Sequence, residues 1–166
     1  MATLQKITPN LWFDSEAEEA AKFYVSIFKN ARIGHIACFG KEGFEFHGRP
    51  EGSVMTVNFW IEDMEFIALN GGPLFKFNES VSFIINCETQ EDVDYYWNNL
   101  IANGGEESQC GWLKDKFGLS WQVVPTILNE MMASPDAQKV QRVTTVMFTM
   151  KKLDIASFKR VYDNDE

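Results

Sequence analysis

The 166-residue sequence predicts an α+β protein in which one order of elements, a strand, a helix and then further strands, occurs twice and is followed by helices. Three observations predict it. A helical hydrophobic repeat behind a capping residue begins after Ser15 and again after Thr89. Each repeat is followed by short runs rich in Val, Ile, Phe and Trp that glycine-bearing turns interrupt. Beyond Pro125, apolar residues return at helical spacing and no further strand pattern appears.

Residues 4–13 read as a strand, and Pro9 places it at an edge or a bulge because proline has no N–H for a ladder. Ser15 and Glu18 have capping-box spacing, and Ala17, Ala20, Ala21, Tyr24, Ile27 and Phe28 then share a helix face until Asn30. Extended segments follow at 31–39, 53–62 and 65–70, the last two joined by a tight turn at Asp63. Residues 40–52 read as a loop, since Gly40, Gly43, Gly48, Pro50 and Gly52 break any regular pattern.

Residues 81–87 open the second series. Thr89, with Asp92 three residues on, caps a helix whose Val93, Tyr96, Trp97, Leu100 and Ile101 face one side until Asn103-Gly104-Gly105. Strands at 107–112 and 119–125 flank Asp115-Lys116-Phe117-Gly118, which has turn chemistry with Asp first and Gly fourth. The closing helices fall at 127–132, from a Ser134-Pro135 cap towards Met150, and at 154–162. Met131, Met132, Met147 and Met150 read as gap-filling apolar residues.

This organisation suits one domain over 1–166, with module one at about 4–72, module two at about 79–125 and a helical extension at about 126–163. With 45% hydrophobic and 14% aromatic residues the chain has material for a sizeable core. A net charge of -9 repels phosphate backbones and anionic membranes, so neither nucleic acid nor a membrane is an expected partner. The charge is spread over helix faces and the 163–166 tail, which reads as solvated. Cys38, Cys87 and Cys110 form no C-x-x-C pair and read as reduced thiols, with Cys38 and Cys87 expected in the core. No apolar run sits behind a basic start, and none reaches the roughly 20 residues of a membrane span. A cytoplasmic location is therefore expected.

Ile7-Thr-Pro-Asn-Leu-Trp-Phe-Asp14, then Glu19-Ala-Ala-Lys-Phe-Tyr24 and Ile27-Phe28, resemble the first module of the vicinal oxygen chelate superfamily, which includes glyoxalases, bleomycin-resistance proteins and extradiol dioxygenases. Ala68-Leu-Asn-Gly-Gly-Pro73, Phe75-Lys-Phe-Asn78 with Ser82-Phe83, and 110–122 (Cys-Gly-Trp-Leu-Lys-Asp-Lys-Phe-Gly-Leu-Ser-Trp-Gln) resemble its PhnB-like branch, whose members often carry the label 3-demethylubiquinone-9 3-methyltransferase. Met150-Lys-Lys-Leu-Asp-Ile-Ala156 is similar to the final helix of longer members. The resemblance implies two βαβββ modules forming a curled mixed sheet around a cleft, plus C-terminal helices, commonly in a homodimer.

Catalytic members of that superfamily hold a divalent cation with His, Glu or Gln ligands at four strand positions, where it acts as a Lewis acid. Carried onto this chain, those positions fall near Ile7, at Asn70, near Ser80 and at Gln122. Carboxylate and imidazole suit such a cation better than an amide or an aliphatic carbon, so no metal ligand and no cofactor are expected. His35, His47 and Glu45 could form an unrelated site, but two histidines this far apart read as surface residues. Asn70 and Gln122 instead read as polar groups of a small-molecule pocket, with Ser80 beside them and Trp12, Phe59, Phe75, Trp112 and Trp121 as walls. His47, as an acid or base, and Cys110, as a nucleophile, are the catalytic candidates. The expected function is small-molecule binding without a catalytic metal; the alternative is a metal-dependent lyase, isomerase or dioxygenase. Methyl transfer is disfavoured because no Rossmann-type glycine turn offers S-adenosylmethionine a seat.

Overall fold

Alternation of side chains along each strand fixes which face meets a helix, and the strand register then assembles those faces. The computed structural model describes residues 5–163, and the chain divides between Lys76 and Phe77 into two compact units. Leu4, the first residue of the predicted opening strand, and Asn164 to Glu166 of the acidic tail lie outside the described residues.

The first unit runs β1 (Asn10–Phe13), α1 (Ala17–Ile27), β2 (Ala31–Cys38), α2 (Phe44–His47), β3 (Val54–Ile61) and β4 (Met64–Asn70). Its four strands lie in the order β1-β4-β3-β2, with β1 parallel to β4 and the other pairs antiparallel. Register places Leu11 beside Ala68, Phe13 beside Asn70, Val57 beside Ala68 and Phe59 beside Phe66, so these residues share one face. Against that face α1 buries Ala17, Ala20, Ala21, Tyr24 and Ile27.

The opening strand is shorter than predicted because Pro9 cannot donate to a ladder; its carbonyl accepts the Ile67 N–H, and pairing starts at Asn10. Gln5 extends the edge with its side chain instead, donating to the Glu65 carbonyl at 3.0 Å and accepting the Glu65 N–H at 2.8 Å. Ser15 does not cap α1. The Ala17 N–H is accepted at 2.8 Å by Oδ1 of Asn70 on β4, a cap supplied from across the sheet. Residues 40–52 contain the single turn α2 between left-handed Gly43 and Gly48, where a plain loop is predicted. Cys38, expected in the core, is exposed, because it ends edge strand β2 just where the register with β3 shifts.

The second unit runs β5 (Ser82–Cys87), α3 (Gln90–Ile101), β6 (Glu106–Glu107), β7 (Trp112–Lys114), β8 (Ser120–Pro125), α4 (Thr126–Met132), α5 (Ala137–Met147) and α6 (Ile155–Asp163). Its sheet has the order β5-β8-β7-β6, with β5 parallel to β8. Thr89 caps α3 as its spacing predicts, accepting the Asp92 N–H at 3.1 Å. The predicted strand 107–112 is broken: Cys110 (φ 56) and Gly111 (φ 84) turn left-handed, and Trp112 starts a new strand. A Cβ on Gly111 would lie 2.9 Å from the Val123 carbonyl oxygen and 3.0 Å from Leu153, so only glycine lets the turn close. The cap of α5 is Asp136, which accepts the Gln138 N–H at 2.9 Å and the Lys139 N–H at 3.2 Å; Ser134, the predicted cap, accepts only the Asp136 N–H.

The three closing helices and Leu153, in the connection before α6, make a small core of Leu128, Met131, Val143, Leu153 and Phe158, with Met147 and Met150 packed against it. Backbone bonds from Cys110 N–H to the Met150 carbonyl and from Gly111 N–H to the Lys151 carbonyl tie this core to the broken strand. Gln90 ties it to α3, donating to the Leu153 carbonyl and accepting the Ile155 N–H.

Candidate functional site

Because one face of each sheet is filled by its helix, polar chemistry has to be sought on the other. In the second unit, register aligns Ser82, Ser120, Lys114 and Glu106 in one row on the side turned away from α3, and Ile84, Gln122 and Trp112 in the next. A hollow of about 150 Å³ lies there, lined by Glu79, Glu106, Lys114, Ser120, Trp112 and neighbours.

The Lys114 ammonium stands between two carboxylates, 3.2 Å from Glu79 and 3.2 Å from Glu106. Hydrogen bonds to Glu106 and Glu79 hold its pKa above the ordinary lysine value, while backbone and Lys114 hydrogen bonds lower that of Glu79. Ser120, in the row with Lys114, is fully buried and its hydroxyl has no hydrogen-bond partner among the described residues. Gln122 is half-buried; its Nε2 donates to the Ser82 hydroxyl at 2.9 Å, and its amide oxygen meets no donor among the described residues. Trp112, half-buried beside Gln122 on the adjoining strand, adds an indole wall.

Two of the ten predicted site residues, Gln122 and Trp112, thus come together, with Lys114, Ser120 and Glu106 as additions that sequence reasoning missed. Strand parity was the signal available for them, since Lys114 and Ser120 share a face with Trp112 and Gln122.

The remaining candidates have the following surroundings within their own units. Asn70 lies on the α1 face of its own sheet, 7% exposed, and both ends of its amide are committed: Oδ1 to Ala17 and Nδ2 to the Val54 carbonyl at 3.0 Å. Phe59 is core, stacked against Tyr24 at 5.8 Å and Phe66 at 5.2 Å. Trp121 is buried on the α3 face and donates its indole N–H to Asp115 at 2.9 Å. Trp12 lies on the face turned away from α1, its indole N–H on the Gly72 carbonyl at 2.8 Å and its ring edge-on to the exposed Phe75 at 5.0 Å. Ser80 is exposed and binds Asn78 through both its N–H and its hydroxyl.

Of the catalytic candidates, Cys110 sits in the left-handed turn with Sγ 3.6 Å from the Met147 carbonyl, and His47 closes the single turn α2. Cys110 is not among the residues that line the hollow of its own unit. Of the four positions that the superfamily resemblance assigns to metal ligands, Ile7 is aliphatic, the Asn70 oxygen caps a helix, Ser80 is turned to Asn78 and Gln122 donates to Ser82, so none supplies the carboxylate or imidazole that such a cation favours. Among the described residues no group of three or more His, Cys, Asp or Glu side chains could hold a metal ion. His35 is exposed. No helix among the described residues is long and apolar enough to cross a membrane.

Two four-stranded mixed sheets, neither closed, each with a helix between its first two strands in sequence, are the architecture of the vicinal oxygen chelate superfamily. The 3-demethylubiquinone-9 3-methyltransferase family matches residues 5–124, and the chain belongs to that family. Among solved structures, a PhnB protein from Bacillus cereus is 31% identical with a TM-score of 0.64, covering 74% of this chain and 100% of that one. A protein from Pseudomonas aeruginosa is 20% identical with a TM-score of 0.58, covering 74% of this chain and 98% of that one. The fosfomycin resistance protein FosX from Listeria monocytogenes is 16% identical with a TM-score of 0.53, covering 78% and 98%, and shares the fold alone. No curated protein matches the chain.

Proposed function

We propose that this PhnB-like protein binds a small organic molecule on the face of its second sheet turned away from α3, and does so without a catalytic metal. The carrying observation is the hollow beside Trp112, where the orphaned Ser120 hydroxyl and the unmatched oxygen of Gln122 share one sheet face. A buried hydroxyl without a partner costs about 1–3 kcal/mol, so an occupant that supplies a hydrogen bond recovers that cost on binding. Aromatic walls with a few convergent polar groups are how small-ligand sites are built. Methyl transfer is outside this reading, since neither sheet is a doubly wound parallel sheet with a glycine turn for a nucleotide-like donor.

The test is a fragment screen by protein-observed NMR on EDTA-treated protein. Binders are expected to shift the Trp112 indole and Gln122 side-chain signals, and Trp112→Ala is expected to weaken them about tenfold. Binders that perturb only the opposite face, or turnover that appears only on adding a divalent metal, would overturn the proposal. The same family likeness supports a homodimer; sedimentation equilibrium at a single-chain mass would remove that part of the reading.

A further inference from the structure

His47 belongs to the first unit, and both nitrogens of its ring are in use. Nδ1 accepts the backbone N–H of Arg49 at 2.9 Å, and Nε2 stands 3.2 Å from the Glu42 carbonyl, which can only accept. One nitrogen therefore carries no proton and the other carries one, so the contacts select the neutral ring with its proton on Nε2. The ring is held in that position by Phe39, 4.5 Å away between centroids, and by Phe44 edge-on at 6.0 Å.

The residue held by Nδ1 is also the one that ties its segment to the rest of the unit. The Arg49 guanidinium bonds both the carbonyl and, at 3.0 Å, the carboxylate of Asp14, in the turn between β1 and α1. The same turn accepts the Gly72 N–H through the Asp14 carbonyl at 3.2 Å. Arg49 is thus held at two points, its backbone by His47 and its side chain by Asp14.

We propose that His47 is a proton-sensitive latch on the backbone of Arg49, the residue whose guanidinium ties the 40–52 segment to the β1–α1 turn, closed when the ring is neutral and released when it is protonated. A second ring proton occupies Nδ1, which then meets the Arg49 N–H donor to donor, and the contact changes from attractive to repulsive. The charged groups around the ring are Glu42 and Glu45 on its own segment, Lys41 paired with Glu51 at 3.8 Å, and Arg49 paired with Asp14. These are two ion pairs and two further carboxylates, and histidine is the side-chain type that ordinarily changes charge between about pH 5 and 8. Release loosens the backbone at Arg49, in the segment that carries the exposed Phe44 and Phe46.

The test is NMR on the intact protein. Long-range nitrogen–proton correlation at pH 8 is expected to show the His47 proton on Nε2. After correction for the intrinsic exchange rate, protection of the Arg49 amide is expected to fall about tenfold between pH 8 and pH 5, the weight of one ordinary hydrogen bond. In His47→Gln that pH dependence disappears. A proton found on Nδ1 at pH 8, or Arg49 amide protection that stays constant over the range, would overturn the latch, and both readings are made on unaltered protein.

Discussion

A polar side chain in an apolar strand needs a partner, and the partner's identity decides whether it serves a ligand or the fold. Asn70 has two within its own unit, the first turn of α1 and the Val54 carbonyl, so Asn70→Ala is expected to lower unfolding stability by about 2–3 kcal/mol in urea titrations. Asn70→Asp retains the acceptor for Ala17 and should recover part of that loss. Asp115, 2% exposed, accepts the Phe117 and Leu119 N–H groups and the Trp121 indole. Asp115→Ala strands three donors and is expected to cost about 3 kcal/mol or more, measured by the same titration. Burial, aided by the charge of Asp92, pushes the Cys87 thiol up to about 12 from an ordinary 9.0. The native state then holds its proton more tightly than the unfolded chain. Cys87 therefore makes no difference below pH 9, and stability falls as pH rises from 9 towards 12, because the unfolded chain alone gains from ionising. At pH 8, mass spectrometry with a thiol reagent is expected to find exposed Cys38 modified first and Cys87 last.

At the scale of elements, period and punctuation carried most of the information. The Thr89 cap, the turn at Asp115 to Gly118 and the strands 31–38, 54–61 and 64–70 all announce themselves through local chemistry. The misplaced features have non-local causes. No local pattern says that α1 is capped from a strand 53 residues away, nor that a non-glycine residue, Cys110, will turn left-handed because its N–H and that of Gly111 reach carbonyls near the end of the chain. Only a small part of the candidate site was legible, for the same reason. Gln122 and Trp112 stood out by type, whereas Phe59 and Trp121 could be assigned to the core only once register showed which parity meets the helix. The closing helices are fastened by few residues, so Gly111→Ala is expected to loosen them. Its strain and contacts predict earlier proteolysis after residue 125 than in the parent, read by limited digestion.

At the scale of the whole molecule, family membership follows from 5–124, and residues 126–163 lie beyond that match. The extension is not a loose addition: its Leu153 packs on Gly111, its Lys152 pairs with Asp94 at 2.7 Å, and its Met147 and Met150 carbonyls meet Cys110. These contacts set a schedule for the growing chain. Every strand pairing of the first unit is complete once Asn70 has been made, so that unit can form while synthesis continues. The turn at Cys110 must wait for partners made 37 and more residues later, and until they emerge from the ribosome the short β6 and β7 have little to brace them. The hollow next to Trp112 is consequently among the last parts of the protein to take shape, and a ribosome paused before Met147 would carry a finished first half and an unready second one.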